Sequence, residues 1–170
     1  MPTIRLKGLI AMAVLTSTLI TAAPAQAATR ATQGDCWRPH NAEHGFARKI
    51  NSARSTQGLG TLRLDPELSK AARVHTREMA RRAELYHTPQ SRLTYRVRNW
   101  VVLGENVGVG PTVDKLHRLF MNSASHRSNV LYQTYRHVGV GTLYRYGKLW
   151  VTVIFEGLTD PSTPLKMPTC

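Results

Sequence analysis

Residues His137 to Glu156 read HVGVGTLYRYGKLWVTVIFE. A period of two marks two strands, His137–Tyr144 and Lys148–Glu156, with Arg145-Tyr146-Gly147 between them as a hairpin turn. On the second strand Leu149, Val151, Val153 and Phe155 share one face, and Trp150, Thr152 and Ile154 share the other. A strand open to water on one side alternates apolar with polar residues. Here both faces are apolar, so the sheet must be covered on both sides, which makes three layers.

The covering layers lie upstream. Phe46, Ile50 and Ala53 are spaced i, i+4, i+7, the stripe of a helix over 46–55. Gln57-Gly58-Leu59-Gly60 breaks it, and Thr61–Leu64 is short and extended. Asp65-Pro66-Glu67 is a strong helix start: an Asp cap, Pro at the first helical position and an acid in the first turn. That helix is expected to run to about Leu85, with Leu68, Ala72, His75 and Met79 inward and Arg73, Arg77, Arg81 and Arg82 on a solvated side. Ser91–Asn99 suggests a short helix and Trp100–Leu103 a β-prone run. Gly104-Glu105-Asn106 is expected to stop that run, and Gly108 and Gly110 to keep the next stretch loop-like. Pro111 opens a helix carrying Val113, Leu116 and Phe120 on one face. Helices first and a strand pair last is an α+β order, not a βαβ series.

Residues 1–27 read as a secretory signal. Arg5 and Lys7 form the positive start, Gly8–Ala23 is uncharged and largely apolar, and Ala25-Gln26-Ala27 is an A-x-A cleavage site. The apolar run is shorter than the roughly 20 residues a bilayer-spanning helix needs. The chain of 170 residues carries 23 Lys+Arg against 10 Asp+Glu, a net charge of +13. Loss of Arg5 and Lys7 with the signal leaves +11 on residues 28–170. Such charge calls for anionic partners. Export, and the lack of aromatic residues interleaved with the Arg-rich helix, argue against nucleic acid. An envelope, wall or membrane surface remains. In an oxidising compartment Cys36 and Cys170 are expected to form a disulfide. It would close a loop of over 100 residues, worth about 4–5 kcal/mol in the loop-entropy model. Unpaired thiols or pairing with another chain are the alternatives. No Cys has a base beside it in sequence, so a catalytic Cys is not expected.

Three stretches put reactive side chains next to turn residues: Leu85-Tyr86-His87-Thr88-Pro89, Gly104-Glu105-Asn106, and Ser123-Ala124-Ser125-His126-Arg127-Ser128-Asn129. A Glu with two His suits zinc, but there is no H-E-x-x-H to put two ligands one helical turn apart. Each residue has a plainer role available. His87 could cap a helix end, Glu105 could hold its turn, and His126 could bridge a helix to a loop. Ser123 and His126 are i, i+3, but no orienting acid lies nearby in sequence and there is no G-x-S-x-G elbow. Arg127 and Asn129 are expected to fix the loop. His75, on an apolar face, reads as a hydrogen-bonded core residue, and His40, His44 and His117 as surface residues.

The ordered set of short motifs resembles the CAP family, the SCP-like domains of cysteine-rich secretory, antigen 5 and pathogenesis-related proteins. It begins with Asn51-x-x-Arg54-x-x-x-Gly58-Leu59-x-x-Leu62-x-x-Asp65-x-x-Leu68. It continues through Ala72, Met79-Ala80, His87 and Gly104-Glu105-Asn106. Ser123-x-x-His126-Arg127-x-Asn129-Val130-Leu131 and Val138-Gly139-Val140-Gly141 follow, and Trp150–Phe155 ends it. The resemblance covers residues 42–157, with 28–41 as an N-terminal segment and 158–170 as a tail tied by the disulfide. It implies an α-β-α sandwich around a central antiparallel sheet, and a cleft of two His and two Glu that binds a divalent metal such as zinc in some members. His87 matches the first His, Glu105 the Glu of the G-E-N motif, and His126 the bacterial S-x-x-H-R-x-N motif. The second Glu has no match, since Ser123 stands in its place. The nearest residue to the strand His of eukaryotic members is His137. Phe120 replaces the Trp common before the S-x-x-H run.

These residues are expected to make a secreted binding module with a His87/Glu105/His126 cleft supported by Asn106, Ser123, Arg127 and Asn129. It would dock on an anionic envelope or membrane surface or carry a lipid-like ligand. A metal-assisted hydrolase of peptides or wall components, and a structural domain with a vestigial cleft, are the competing readings. No complete catalytic set favours the enzyme.

Overall fold

A computed structural model describes residues 37–97 and 100–157. The leader, Cys36, the tail and Cys170 lie outside these residues, and so do the expectations placed on them. In chain order the elements are α1 (Asn41–Ser55), β1 (Arg63–Leu64), α2 (Pro66–Arg82), α3 (Gln90–Arg96), β2 (Val102–Gly110), α4 (Val113–Asn122), α5 (Ala124–Leu131), β3 (His137–Arg145) and β4 (Lys148–Gly157). The sheet order is β1-β3-β4-β2. β3 and β4 pair antiparallel with Arg145 opposite Lys148, β2 pairs antiparallel with β4, and β1 adds two residues parallel to β3. The sheet is therefore mixed rather than wholly antiparallel. The parallel edge arises because β1 leads straight into α2, which crosses the sheet.

Both faces of β4 are covered. Val151, Val153 and Phe155 pack with Phe46 and Ile50 of α1, Leu116 and Phe120 of α4, and Val130 of α5. Ile154 packs under Leu68 and Ala72 of α2 with Val97 after α3, and Trp150 with Met79, Ala80 and Val107. Two glycines set how closely α2 can lie. A Cβ on Gly139 would sit 2.2 Å from the backbone carbon of Leu68, and one on Gly141 would sit 2.2 Å from the Arg73 nitrogen.

Asp65 caps α2 by accepting from the Leu68 N–H at 2.9 Å. The helix stops at Arg82, short of Leu85, because Ala83 turns left-handed at φ 53°. Gly104-Glu105-Asn106 does not stop a strand, and Gly108 and Gly110 do not open a loop; all five lie within β2. These glycines give up a side chain so that others can pack: a Cβ on Gly104 would overlap the Tyr135 hydroxyl, and one on Gly108 would press on Phe120. α5 had no apolar stripe to announce it, since only Val130 is buried on it.

Arg73 is also not a solvated residue. It reaches Glu43, which is 0% exposed: Nε donates to Oε1 at 2.7 Å and Nη2 to Oε2 at 2.5 Å. Its guanidinium lies 5.2 Å from the Trp37 ring centre. Arg54, 1% exposed, donates to the carbonyls of Gly60, Val130 and Tyr132, tying the turn after α1 to the end of α5. Burial, then the nearby Arg136, lower its pKa. Asn51 makes a two-way bond with the Leu62 backbone, at 2.9 and 2.8 Å. His75 is fully buried with Nε2 2.7 Å from the Tyr86 carbonyl, as a core histidine should be. His117 is half-buried rather than a surface residue, and its Nε2 has no partner among the described residues.

Candidate functional site

β2 is a sheet edge, and its alternation sends Glu105 and Asn106 to opposite faces. Glu105 stands opposite Ile154, on the α2 side, and Asn106 opposite Val153, on the α4–α5 side. The loop after α2 brings His87 and Thr88 to Glu105. Its Oε1 accepts from the Thr88 N–H at 2.8 Å and lies 2.9 Å from His87 Nδ1; its Oε2 accepts from the Thr88 hydroxyl at 2.6 Å. A residue before proline is biased toward extended backbone, as Thr88 is before Pro89. The Glu105 side chain is 5% exposed and that of His87 is 59% exposed. The pair is thus a buried carboxylate holding a largely exposed imidazole by its Nδ1.

On the other side of the strand, the Asn106 amide donates to the His126 carbonyl at 2.9 Å. The Asn129 amide donates to the Glu105 carbonyl at 3.1 Å and to Asn106 Oδ1 at 2.9 Å. G-E-N and S-x-x-H-R-x-N, separated in sequence, form one hydrogen-bonded frame around the edge strand. The His126 ring is half-buried, 5.0 Å from the Phe120 ring. Burial, and secondarily the His87 imidazole, lower its pKa below the usual 6.5. That direction favours the neutral imidazole.

The Ser123 hydroxyl lies 3.2 Å from that of Ser125, and no hydrogen bond joins it to His126 among the described residues. Arg127 is exposed on α5. His137 stands apart. It is 2% exposed, with Nδ1 3.4 Å from Glu156 Oε2, and β4 lies between its strand and Glu105. Burial first, and the nearby Glu156, raise the pKa of Asp65, which neighbours that pair.

Among the described residues no three His, Cys, Asp or Glu side chains converge as a metal cage. Glu105 places both oxygens on Thr88 and His87, which fixes the orientation of the His87 ring. Two contributors carry no assignment from the sequence: Thr88 and Tyr135. Burial pushes the Tyr135 phenol up to about 12, with Tyr132 adding to it. The one sequence signal for Thr88 is a hydroxyl directly after the cleft His and before Pro.

The matching family model is CAP, the cysteine-rich secretory protein family, over residues 47–155. That is well over half of the chain, and the chain belongs to this family. It is 31% identical over 107 residues to the uncharacterized protein YkwD of Bacillus subtilis, covering 59% of this chain and 41% of YkwD. The chain thus spans about two-fifths of that relative's length. An extracellular SCP-domain protein of Bacillus anthracis superposes with a TM-score of 0.54 at 26% identity, covering 68% of this chain and 41% of that one. An outer surface protein of Borrelia burgdorferi superposes with a TM-score of 0.61 at 18% identity, covering 66% and 90% respectively, which bears on the fold alone.

Proposed function

We propose that this chain is an exported CAP-domain binding module that docks on an anionic envelope surface. The distribution of carboxylates carries this reading. Glu43, Asp65, Glu105 and Glu156 are buried, Glu78 is paired with Arg92 and Arg96, and Asp114 is paired with Lys49. Glu67 and Glu84 are the carboxylates left over among the described residues. Arg38, Arg48, Arg63, Lys70, Arg77, Arg81, Arg82, Lys115, Arg118, Arg127, Arg136 and Lys148 are at least partly exposed. Among the described residues the exposed charge is therefore predominantly cationic. Such attraction is strongest at low salt and fades as the Debye length shrinks to about 10 Å at 0.1 M. Sedimentation of the protein with isolated cell wall and with anionic liposomes across a salt series tests it. Salt-sensitive binding to either supports docking; no binding to either at low salt overturns it.

A divalent metal at His87 and His126 is the second reading. It is favoured by the carboxylate behind His87 Nδ1, the arrangement that orients metal-bound imidazoles, and by burial that keeps His126 in its ligating form. Metal analysis of the purified protein and of a His87→Gln variant decides it. Metal present in the first and absent from the second supports the site; no metal in the first removes it.

A further inference from the structure

The hairpin between β3 and β4 turns on two residues, Tyr146 at φ 53° and Gly147 at φ 70°. Two consecutive positive φ values are the geometry of a type I′ turn, which favours Asn-Gly. A bulky aromatic at the first position is a backbone outlier. It is also 66% exposed, so no core packing holds it in that conformation. Strain kept at an exposed turn, outside the core, points to a use.

The neighbours of Tyr146 suggest what that use is. Tyr144 is 65% exposed, and its hydroxyl donates to the Gly147 carbonyl. Arg145 lies 4.7 Å from the Tyr146 ring centre and donates to its hydroxyl at 2.8 Å. Two residue pairs back from Arg145–Lys148, Leu143 and Trp150 pack with Met79, Ala80 and Tyr86 at the close of α2. The hairpin tip and the end of α2 therefore share one end of the molecule. That end adds exposed Arg81 and Arg82, the latter 5.5 Å from the Tyr86 ring centre, and exposed Leu85. Arg81, Arg82, Arg145 and Lys148 lie on these two segments, where Glu84 is the one carboxylate.

We infer that this tip is the contact surface, and that its partner is an anionic lipid bilayer. The inference rests on the docking reading above and names the surface and partner. Tyrosines ringed by Arg and Lys match the bilayer interface, where phenols sit at headgroup depth and cations meet anionic lipid. A protruding turn suits a soft surface, whereas a threaded wall polymer calls for a groove with an open ring face, and the Tyr146 ring stands against Arg145. No helix among the described residues is long and apolar enough to cross a membrane, so the contact is peripheral.

The test uses protein recovered from the medium of a secreting host, sedimented with phosphatidylcholine–phosphatidylglycerol vesicles, with phosphatidylcholine vesicles and with isolated wall. Binding to the anionic vesicles is expected. Arg145→Gln and Lys148→Gln should each weaken it about fivefold. Tyr146→Asn should raise the melting temperature, since Asn-Gly suits the turn, and should weaken binding further. Those opposite signs separate a contact role from a folding role. If wild type binds vesicles and the three variants bind as well as it does, the tip is refuted while docking stands. Binding to wall but not vesicles refutes the bilayer, and binding to neither refutes both readings.

Discussion

Arg73→Met should destabilise this domain far more than a surface substitution would. In wild type the Glu43 carboxylate is fully buried and takes two bonds from Arg73, one from the His40 N–H at 2.8 Å and a long one from the Thr142 N–H at 3.4 Å. Removing the guanidinium leaves a buried charge held by two backbone donors. Breaking a buried pair from one side costs about 3–5 kcal/mol. The Arg73 side chain is 19% exposed, so water reaches part of the pair and the low end, about 3 kcal/mol, applies. At about 3–4 °C per kcal/mol for a domain of this size, the melting temperature falls by about 10 °C. Thermal and urea unfolding monitored by circular dichroism measure it. Glu43→Gln placed on top of Arg73→Met should recover at least half of the loss, because the stranded charge is then gone. A loss below about 1 kcal/mol, the range of exposed pairs, would refute the buried-pair reasoning.

Gly139→Ala should cost about 1–3 kcal/mol or more in the same assay, because its methyl would meet the α2 backbone rather than a movable side chain. Asn129→Ala removes the donor to Asn106 Oδ1 and to the Glu105 carbonyl, and a loss of about 1–3 kcal/mol is expected. In an NMR titration His126 should titrate below 6.5, and His87→Gln should move it up only part of the way, since burial is the larger cause. The unfolded chain takes up that proton first as pH falls. The His126 contribution to stability is thus present above about 6.5 and is lost as pH falls through its lower folded value. His126→Gln should flatten that part of the pH–stability curve, leaving a slope from His117, whose pKa burial also lowers.

The elements whose burial follows a period were legible in the sequence. The β3–β4 hairpin, the inward stripe of α2 and its Asp65-Pro66 start stand where their patterns put them. α5 and β2 escape such a reading for a common reason. Their residues are held by polar bonds and close approach instead of an apolar stripe. Gly104, Gly108 and Gly110 look like loop residues until Tyr135, Phe120 and Leu116 are seen pressing on them. Arg73 looks solvated in the sequence because helical periodicity reports a direction, not what waits there; Glu43 lies thirty residues upstream on another helix.

The site divides in the same way. His87, Glu105 and His126 could be picked out as residue types beside turns, but types do not fix which oxygen meets which nitrogen. The tertiary structure commits both Glu105 oxygens to Thr88 and His87, gives Asn129 to the Glu105 carbonyl and the Asn106 side chain, and moves His137 away to Glu156. It also turns a net charge into a charge distribution by taking carboxylates inside and leaving cations outside. What the sequence determined by itself was the layering, the family motifs and the sign of the charge, because periodicity and composition are local or additive. Which carboxylates are buried, which strand is the edge and which residues stand at the hairpin tip depend on chain segments far apart in sequence, and only their packing against one another decides it.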